Sequence, residues 1–443
     1  MMEIPAHALT VVERLERYGY EAYVVGGCVR DSLLGRNLKD WDVCTNALPE
    51  EVLRVFKRFH VIKTGLQHGT VTVMVDKQPV EVTTFRIDGD YSDNRHPDSV
   101  NFVSRVEEDL ARRDFTINAM AYSPTRGFAD PFGGREDLKN KRLRAVGNAT
   151  ERFQEDSLRI LRGVRFAVRY GLSVDPETER AMEDQRHLMD NLARERVFSE
   201  LCKILPLVTA DDLTRFAPVL TQVIPELKPM IGFDQRNPHH AHDLYNHTAR
   251  VVAEVPGELP LRWAALLHDV GKQKCFTVDE KGIGHFYGHA AIGGEMADAI
   301  LLRLKAPTAL REQVVTLVEH HMTILEPRRK ILRRWLSRLG WDTVTDLLKL
   351  QTADMGGKGS HDEQDQFLRA RLLLEELRLE NACMTLKDLA LNGYDMLALG
   401  YTGKEIGFRL NTLLDMVMEE TVENNRDALM EANSRITYPH NNE

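Results

Sequence analysis

The rhythm of apolar and polar positions changes about a third of the way along the chain. Between residues 22 and 85 short apolar runs alternate with turn signals: AYVV, a Gly-Gly pair, a helical CVRDSLLG, then WDVCT, and later TVTVMV and VEVTTF in the two-residue period of a hairpin. This pattern predicts an α+β unit, a small β-sheet with helices. Beyond about residue 150 the helical period dominates, interrupted by VDPET, ELKPMIGFDQRNP, LKAPT and ADMGGKG. The expected organisation is a head over 1–150, followed by an all-α neck over 151–210, body over 211–360 and tail over 361–443. Between the hairpin and RRDFT, the segment IDGDYSDNRHPDSVNF reads as a long polar loop, a feature that is often functional in a compact domain.

Composition narrows the class without naming a chemistry. A hydrophobic share of 43% and a charged share of 28% are ordinary for a folded soluble chain. Cys28, Cys44, Cys202, Cys275 and Cys383 show no CxxC spacing, so neither a disulfide framework nor a cysteine zinc site is expected. The opening MMEIPAHALTVVERLERYGY is amphipathic and lacks the basic start and apolar core of a signal peptide. No later run approaches the roughly 20 apolar residues of a membrane span, so a cytoplasmic protein is expected. A net charge of −9 argues against a nucleic-acid partner, but its distribution argues back. Arginines crowd the stretch from Arg112 to Arg169, while acids outnumber bases in the last third.

Candidate chemistry sits on both sides of that boundary. In a strand, Asp40 and Asp42 of DWDV would point to one face, with alpha carbons roughly 6 to 7 Å apart, offering two hard oxygen ligands to magnesium. Glu81, in a hairpin strand, is a candidate third carboxylate, though the pattern does not fix its facing. Alone, a DxD is as readily a solvated strand end, and Gly26-Gly27 as readily an ordinary tight turn. Further on, Asp156, Arg159, Arg162 and Arg165 recur at three-residue steps, a ridge if one helix carries them all. An aspartate accepts from an exocyclic amine and an arginine donates to ring acceptors, so the first two could read the pairing edge of cytosine or adenine. The bland alternative is a surface ion pair worth about 0.2 to 0.5 kcal/mol.

Taken together, VVGGCVRDSLLGRNLKDWDVCTNALPEEV, RRDFTINAMAY, ADPFGGREDL and RFQEDSLRILRGVRFA resemble, in order, the motifs of class II tRNA nucleotidyltransferases and bacterial poly(A) polymerases, of the DNA polymerase beta superfamily. The resemblance covers about residues 20 to 205. It implies that Gly27 and Arg30 hold a triphosphate, that Asp40 and Asp42 bind Mg2+, and that Arg113 and Asp114 grip the nucleotide with Asn118 in support. It further implies that Asp156 and Arg159 face the incoming base while Arg162 and Arg165 surround the triphosphate. The implied reaction is template-independent addition of CCA to tRNA 3′ ends from CTP and ATP. Addition of A alone, or poly(A) polymerase-like activity, is the alternative. The polar loop ranks CC-only addition last, and TGLQHGTVTV resembles CCA-type enzymes rather than poly(A) polymerases.

Residues 240 to 355 carry HDLYNHT, LRWAALLHDVGK, GHFYGHAAIGG, LVEHHM and LQTADM, an order that resembles an HD domain. His268 and Asp269 close an apolar helix stopped by Gly271, and buried charge beside imidazole needs a metal or a partner. His247, His289, His320 and Asp354 complete a ligand set suited to a divalent transition metal. The resemblance implies phosphatase or cyclic phosphodiesterase work on RNA or nucleotide ends, a second reading of the chain as a metal phosphohydrolase. From Thr385 the chain is similar to the tRNA-binding tail of the same enzymes. There GYTGKEIG offers glycines for close approach and Lys404 for a phosphate, or simply a helix-capping turn.

Overall fold

The computed structural model describes residues 2–36, 38, 40–89, 100–236, 243–356, 361–380 and 383–438. They form two compact units, Met1–Lys228 and Pro229–Glu443. Residues 90–99 of the polar segment, on which the ranking of CC-only addition rests, lie outside the described residues.

The first unit opens with α1 (Ala6–Arg17), whose Ala8, Val11, Val12 and Leu15 recur at helical spacing and are buried against the sheet. Then follow β1 (Ala22–Val25), α2 (Gly27–Leu33), β2 (Asp42–Thr45), α3 (Pro49–Val55), β3 (His60–Ile62), β4 (Thr70–Val75) and β5 (Gln78–Thr84). A second stretch gives β6 (Arg86–Asp88), β7 (Val100–Phe102), α4 (Val106–Ala111), β8 (Ala121–Ser123) and β9 (Gly127–Ala129). Seven strands make one sheet in the order β3-β4-β5-β2-β1-β8-β9, while β6 and β7 pair separately. Alternation explains the hairpin: Val71, Val73 and Val75 of β4 are buried, and the residues between them are half-exposed. Asp76 and Lys77, both at positive φ, make its two-residue turn. Within this sheet the described strands pair antiparallel except β2 and β5, which run parallel with Asp42 opposite Glu81. Directly opposed residues of neighbouring strands share a face, so these two carboxylates emerge side by side.

Beyond the sheet come α5 (Gly134–Lys139), β10 (Arg142–Leu143), α6 (Ala149–Glu155), α7 (Leu158–Tyr170), β11 (Ser173–Val174), α8 (Pro176–Asp184), α9 (Arg194–Ile204), α10 (Ala210–Arg215) and α11 (Ala217–Val223). Residues 211–228, expected to open the body, belong to this first unit. Arg215 pairs with Glu179 of α8 at 2.8 Å, and Gln222 donates to Asp190 at 2.8 Å. Among the described residues the helical expectation after residue 150 holds except for β11 and one hairpin, each strand only two residues long and so without a readable period.

The second unit contains α12 (Leu244–Glu254), α13 (Leu259–Leu267), the hairpin β12 (Thr277–Val278) and β13 (Gly284–His285), α14 (His289–Arg303), α15 (Thr308–His320), α16 (Arg329–Leu339) and α17 (Trp341–Asp354). After these come α18 (His361–Leu379), α19 (Gly393–Ala398), α20 (Lys404–Met418) and α21 (Arg426–Arg435). The tail has its own core around Leu391, Met396, Leu413 and Leu429. It is tied to α16 by Arg333, which donates to the terminal carbonyls of Val417 and Met418 in α20. Gly400 and Gly403, both at positive φ, shape the turn into α20, where Lys404 is the first helical residue. Among the described residues no helix is long and apolar enough to cross a membrane.

Candidate active sites

In the first unit a cleft of about 490 Å³ opens beside β2 and along α7. Arg30, Arg112, Arg113, Arg159, Arg162, Arg165, Arg169 and Arg196 reach it, against Asp42, Asp114 and Asp156. Such an excess of guanidinium over carboxylate suits a polyanion. The turn from β1 into α2 holds the near wall. Gly26 has φ +78°, and a Cβ there would lie 2.6 Å from Arg113, so only glycine lets that arginine cross the turn. Arg30 is buried, donating to Asp31 (2.9 Å) and to Asn118, with its plane 4.6 Å from the Tyr170 ring centre.

Asp42, Glu81 and Asp40 form the acidic end. The protein packed around Asp42, together with Glu81 and Asp40 and against the pull of Arg113, pushes its carboxyl up to about 6. A carboxylate that holds its proton this tightly beside two others is a hard-oxygen donor set short of positive charge, and it fits a divalent cation. Asp40 itself corrects one expectation. Pairing in β2 starts only at Asp42, so Asp40 precedes the strand and its direction is not set by strand alternation.

Asp114 and α7 form the basic wall. Asp114 is buried and accepts from Asn118 Nδ2 (2.9 Å), the Phe115 amide (2.8 Å) and Arg162 Nε (2.8 Å). Burial alone would raise its pKa, but Arg162 and these donors hold it well below the usual carboxylate range. Arg165 lies over Phe166 and pairs at 3.1 Å with Glu200, a buried acid on α9.

The ridge expected from Asp156 to Arg165 is not one helix. Here α6 ends at Glu155, and Asp156 takes an extended conformation (φ −141°), with its Oδ1 accepting from the Leu158 amide that starts α7. Aspartate competes for backbone amides in this way and so breaks a helix rather than continuing it. Asp156 Oδ2 accepts from Arg196 of α9 at 2.9 Å. Arg159 is buried and held by Glu155 (2.8 Å) and the Arg112 carbonyl (3.0 Å). Both side chains are thereby fixed by partners other than each other. Sequence reasoning missed Arg196, which lies 40 residues from Asp156 in a segment with no periodic signal toward it.

The second unit carries a buried cluster. His247 of α12, His268 and Asp269 at the end of α13, and Asp354 at the end of α17 place their ligand atoms within 4.8 Å of one another, and Asp269 also groups with His289 and His321. Nδ1 of His268, His289 and His321 each face a backbone carbonyl (2.8, 2.7 and 2.7 Å), so each Nδ1 carries a proton and each Nε2 is turned toward the centre. Nε2 of His289 and of His321 stand 3.2 Å apart, a contact between two lone pairs unless a cation lies with them. His268 Nε2 stands 3.1 Å from Asp269 Oδ2 and 3.6 Å from Asp354 Oδ1 inside the cluster. Burial opposes charge on His268, yet Asp269 and Asp354 push its imidazole up to about 10. The cluster demands positive charge and fits a divalent metal.

One expected ligand is corrected here. His320 stands edge-on to Trp335 at 5.4 Å and takes no part in the cluster; His321 does. Neighbours on a helix differ by about 100°, so only one of two adjacent histidines can enter. Val314, Leu317 and Val318 form the buried stripe of α15, and His321 continues it in phase. Lys272, also missed, meets Asp269 Oδ2 at 2.8 Å one helical turn on.

Family models match both sites. Residues 22–144 match the poly A polymerase head domain, 171–211 a probable RNA and SrmB-binding site of polymerase A, and 244–373 the HD domain. The crystal structure of the Bacillus stearothermophilus CCA-adding enzyme in complex with CTP is similar over 97% of both chains, at 30% identity and a TM-score of 0.71. The chain belongs to the CCA-adding enzyme family. Curated members include a CCA-adding enzyme of Bacillus cytotoxicus, 48% identical over 44% of this chain and 49% of that protein. Another, from Geobacillus kaustophilus, is 43% identical over 51% and 58% respectively. The chain spans about half the length of the curated relatives it matches. Membership in the family, with its nucleotidyltransferase head and HD domain, implies use of divalent metal at both sites.

Proposed function

We propose that this protein adds CCA to tRNA 3′ ends, drawing on CTP and ATP without a nucleic-acid template, in the cytoplasm and with magnesium at Asp40, Asp42 and Glu81. The observation that carries the proposal is the cleft itself. It brings Asp42 together with Asp156, Arg159 and seven further arginines, and Asp156 and Arg159 are each held in place by partners of their own. When bound, magnesium activates the attacking hydroxyl and offsets charge at the alpha phosphate. Arg30, Arg113, Arg162 and Arg165 neutralise the triphosphate, two of them lying over the rings of Tyr170 and Phe166. Asp156 accepts from the exocyclic amine of cytosine or adenine, and Arg159 donates to the adjoining ring acceptor. Uracil and guanine present an oxygen where the carboxylate needs a donor. The turn at Gly400 to Lys404 and the matched segment 171–211 are the parts of the chain that we assign to tRNA.

The test extends two transcripts, one lacking CCA and one ending in CC, with magnesium and CTP, ATP or both. Growth of the first by CCA is the expected result. Addition of A to the second transcript alone would make the protein an A-adding enzyme, and no extension of either would refute the transferase reading.

Arg196→Ala gives a narrower check. Releasing Asp156 from Arg196 should cost about tenfold in discrimination against UTP, within the roughly 1 to 3 kcal/mol of a good base contact. Misincorporation measured against CTP in single turnover reads this directly, with addition of C largely retained.

For the second unit we propose a divalent-metal phosphohydrolase site acting on RNA or nucleotide ends, resting on the convergent histidine Nε2 atoms and two carboxylates. Dialysis against a chelator is expected to lower the melting temperature of wild-type protein by several degrees, since a metal binding only the folded state stabilises it by mass action. The same treatment should leave His268→Ala unmoved. Equal melting with and without chelator, and no metal by elemental analysis, would contradict the assignment.

A further inference from the structure

Beside the metal cluster the structure presents a braced aromatic ring. Tyr287 is 79% exposed, two residues before His289. Its ring lies on that of His285 with 8° between the planes and 5.4 Å between the centres. His285 Nε2 meets Asp279 at 3.0 Å, and the other oxygen of Asp279 accepts from the amides of Lys281 and Ile283, closing the hairpin turn. The base of the hairpin is pinned by Phe233, Phe276 and Phe286, packed at centroid distances of 5.1 to 6.4 Å. The segment also touches the cluster on both sides of the tyrosine. The Phe286 carbonyl accepts from His289 Nδ1, and its ring lies 5.2 Å from the Lys272 ammonium that meets Asp269. Just after His321, the last histidine of the cluster, stand Met322 (58% exposed) and Ile324 (71% exposed).

A tyrosine free in solvent has no need of this bracing. Held parallel on an imidazole, its outer face is ready for another flat ring at no cost in ordering, and such stacking accepts any base. We propose that Tyr287, backed by His285, is a base-stacking platform for the HD site, whose ligand is therefore a phosphate ester carrying an unpaired nucleobase. The phosphate half of this statement rests on the metal-site reading given above; the stacking half does not.

The probe is a 2-aminopurine ribonucleoside 2′,3′-cyclic phosphate, whose fluorescence falls on stacking, titrated into the full chain in chelator with the head saturated by CTP. Wild-type protein is expected to quench it. Tyr287→Ala should weaken binding about tenfold, in line with the stacking of one base, while Tyr287→Phe retains it. His268→Ala should also retain the quench while losing bound metal, which separates the platform from the metal centre. In the metal-loaded enzyme, Tyr287→Ala should raise KM for the adenosine cyclic phosphate and leave that for the base-free ribose analogue unchanged. No quench by wild-type protein, or equal binding by Tyr287→Ala, would overturn the inference. A quench that depends on Tyr287 in a protein that binds no metal would leave the platform standing and remove the phosphohydrolase reading alone.

Discussion

Asp42→Asn is expected to slow addition of both C and A by at least about a thousandfold, with KM for CTP changed far less, because a charged metal ligand acts mainly in the transition state. The amide keeps the shape of the side chain but loses the charge that, with Glu81 opposite and Asp40 before it, makes the acidic end of the cleft. Stability should move the other way. Asp42 in the folded protein holds its proton up to about pH 6, above the ordinary value near 3.9. The folded state therefore binds that proton more tightly than the unfolded chain does. The group's contribution to stability is present at low pH and declines as pH rises from about 4 through 6. Asparagine has no such decline, so the variant should melt slightly higher than wild type at pH 7, the gain being small because Asp42, though crowded on one side, sits at the exposed start of its strand. Single-turnover extension and thermal denaturation measure the two effects. Parallel loss of activity and melting temperature would make Asp42 a structural residue. In wild type, the acid limb of the rate profile should shift to lower pH as magnesium is raised, since metal and proton compete for the same oxygens.

How much of this could be read in advance depended on whether the signal was local. Strand alternation gave the hairpin, and an apolar run against Gly-Gly gave the turn into α2. A DxD pattern located Asp42, but it carried no sign that β2 begins there, because a strand's first residue is set by where its neighbours start to pair. The ridge from Asp156 to Arg165 followed spacing that was correct for Arg159, Arg162 and Arg165, all in α7. It failed at Asp156, whose tendency to take a backbone amide ended one helix and started the next. For the paired histidines the information was present, since His321 shares its helical phase with Val314, Leu317 and Val318 while His320 does not. Arg196 had no such local marker. Its role exists only because α7 and α9 pack together, which one sequence does not display.

Net charge misleads here for a related reason. The total of −9 is an average over the chain, whereas the cleft gathers arginines from α2, α7, α9 and the segment after α4 into one concave surface. Buried acids keep that gathering stable without cancelling it. Asp109, Asp114 and Glu200 each hold arginines by one edge, leaving the remaining donors toward the cleft. What steers a polyanion is local potential, and it can be strongly positive on an acidic protein.

Asp114 is where that arrangement is most vulnerable. Asp114→Ala should destabilise the first unit by about 3 kcal/mol, the low end for removing one partner of a buried charged pair. It strips Arg162 of its two donations at 2.8 and 2.6 Å and leaves the Asn118 amide and the Phe115 N–H without their acceptor. Asp114→Asn keeps the volume and part of the hydrogen bonding, and should fall between the two. The pH dependence fixes the sign. A carboxyl held below its ordinary value contributes stability that is fully present above about pH 4, where it is ionised even in the unfolded chain, and that is lost as pH falls toward its folded value. The gap between wild type and variant, followed by urea denaturation, should thus stay constant from pH 8 to pH 5 and narrow only below about pH 4. Nucleotide binding should weaken about tenfold as well, because Arg162 then swings without its anchor. The same gap at pH 3 as at pH 7 would mean that packing, and not the charge of Asp114, holds this wall of the cleft together.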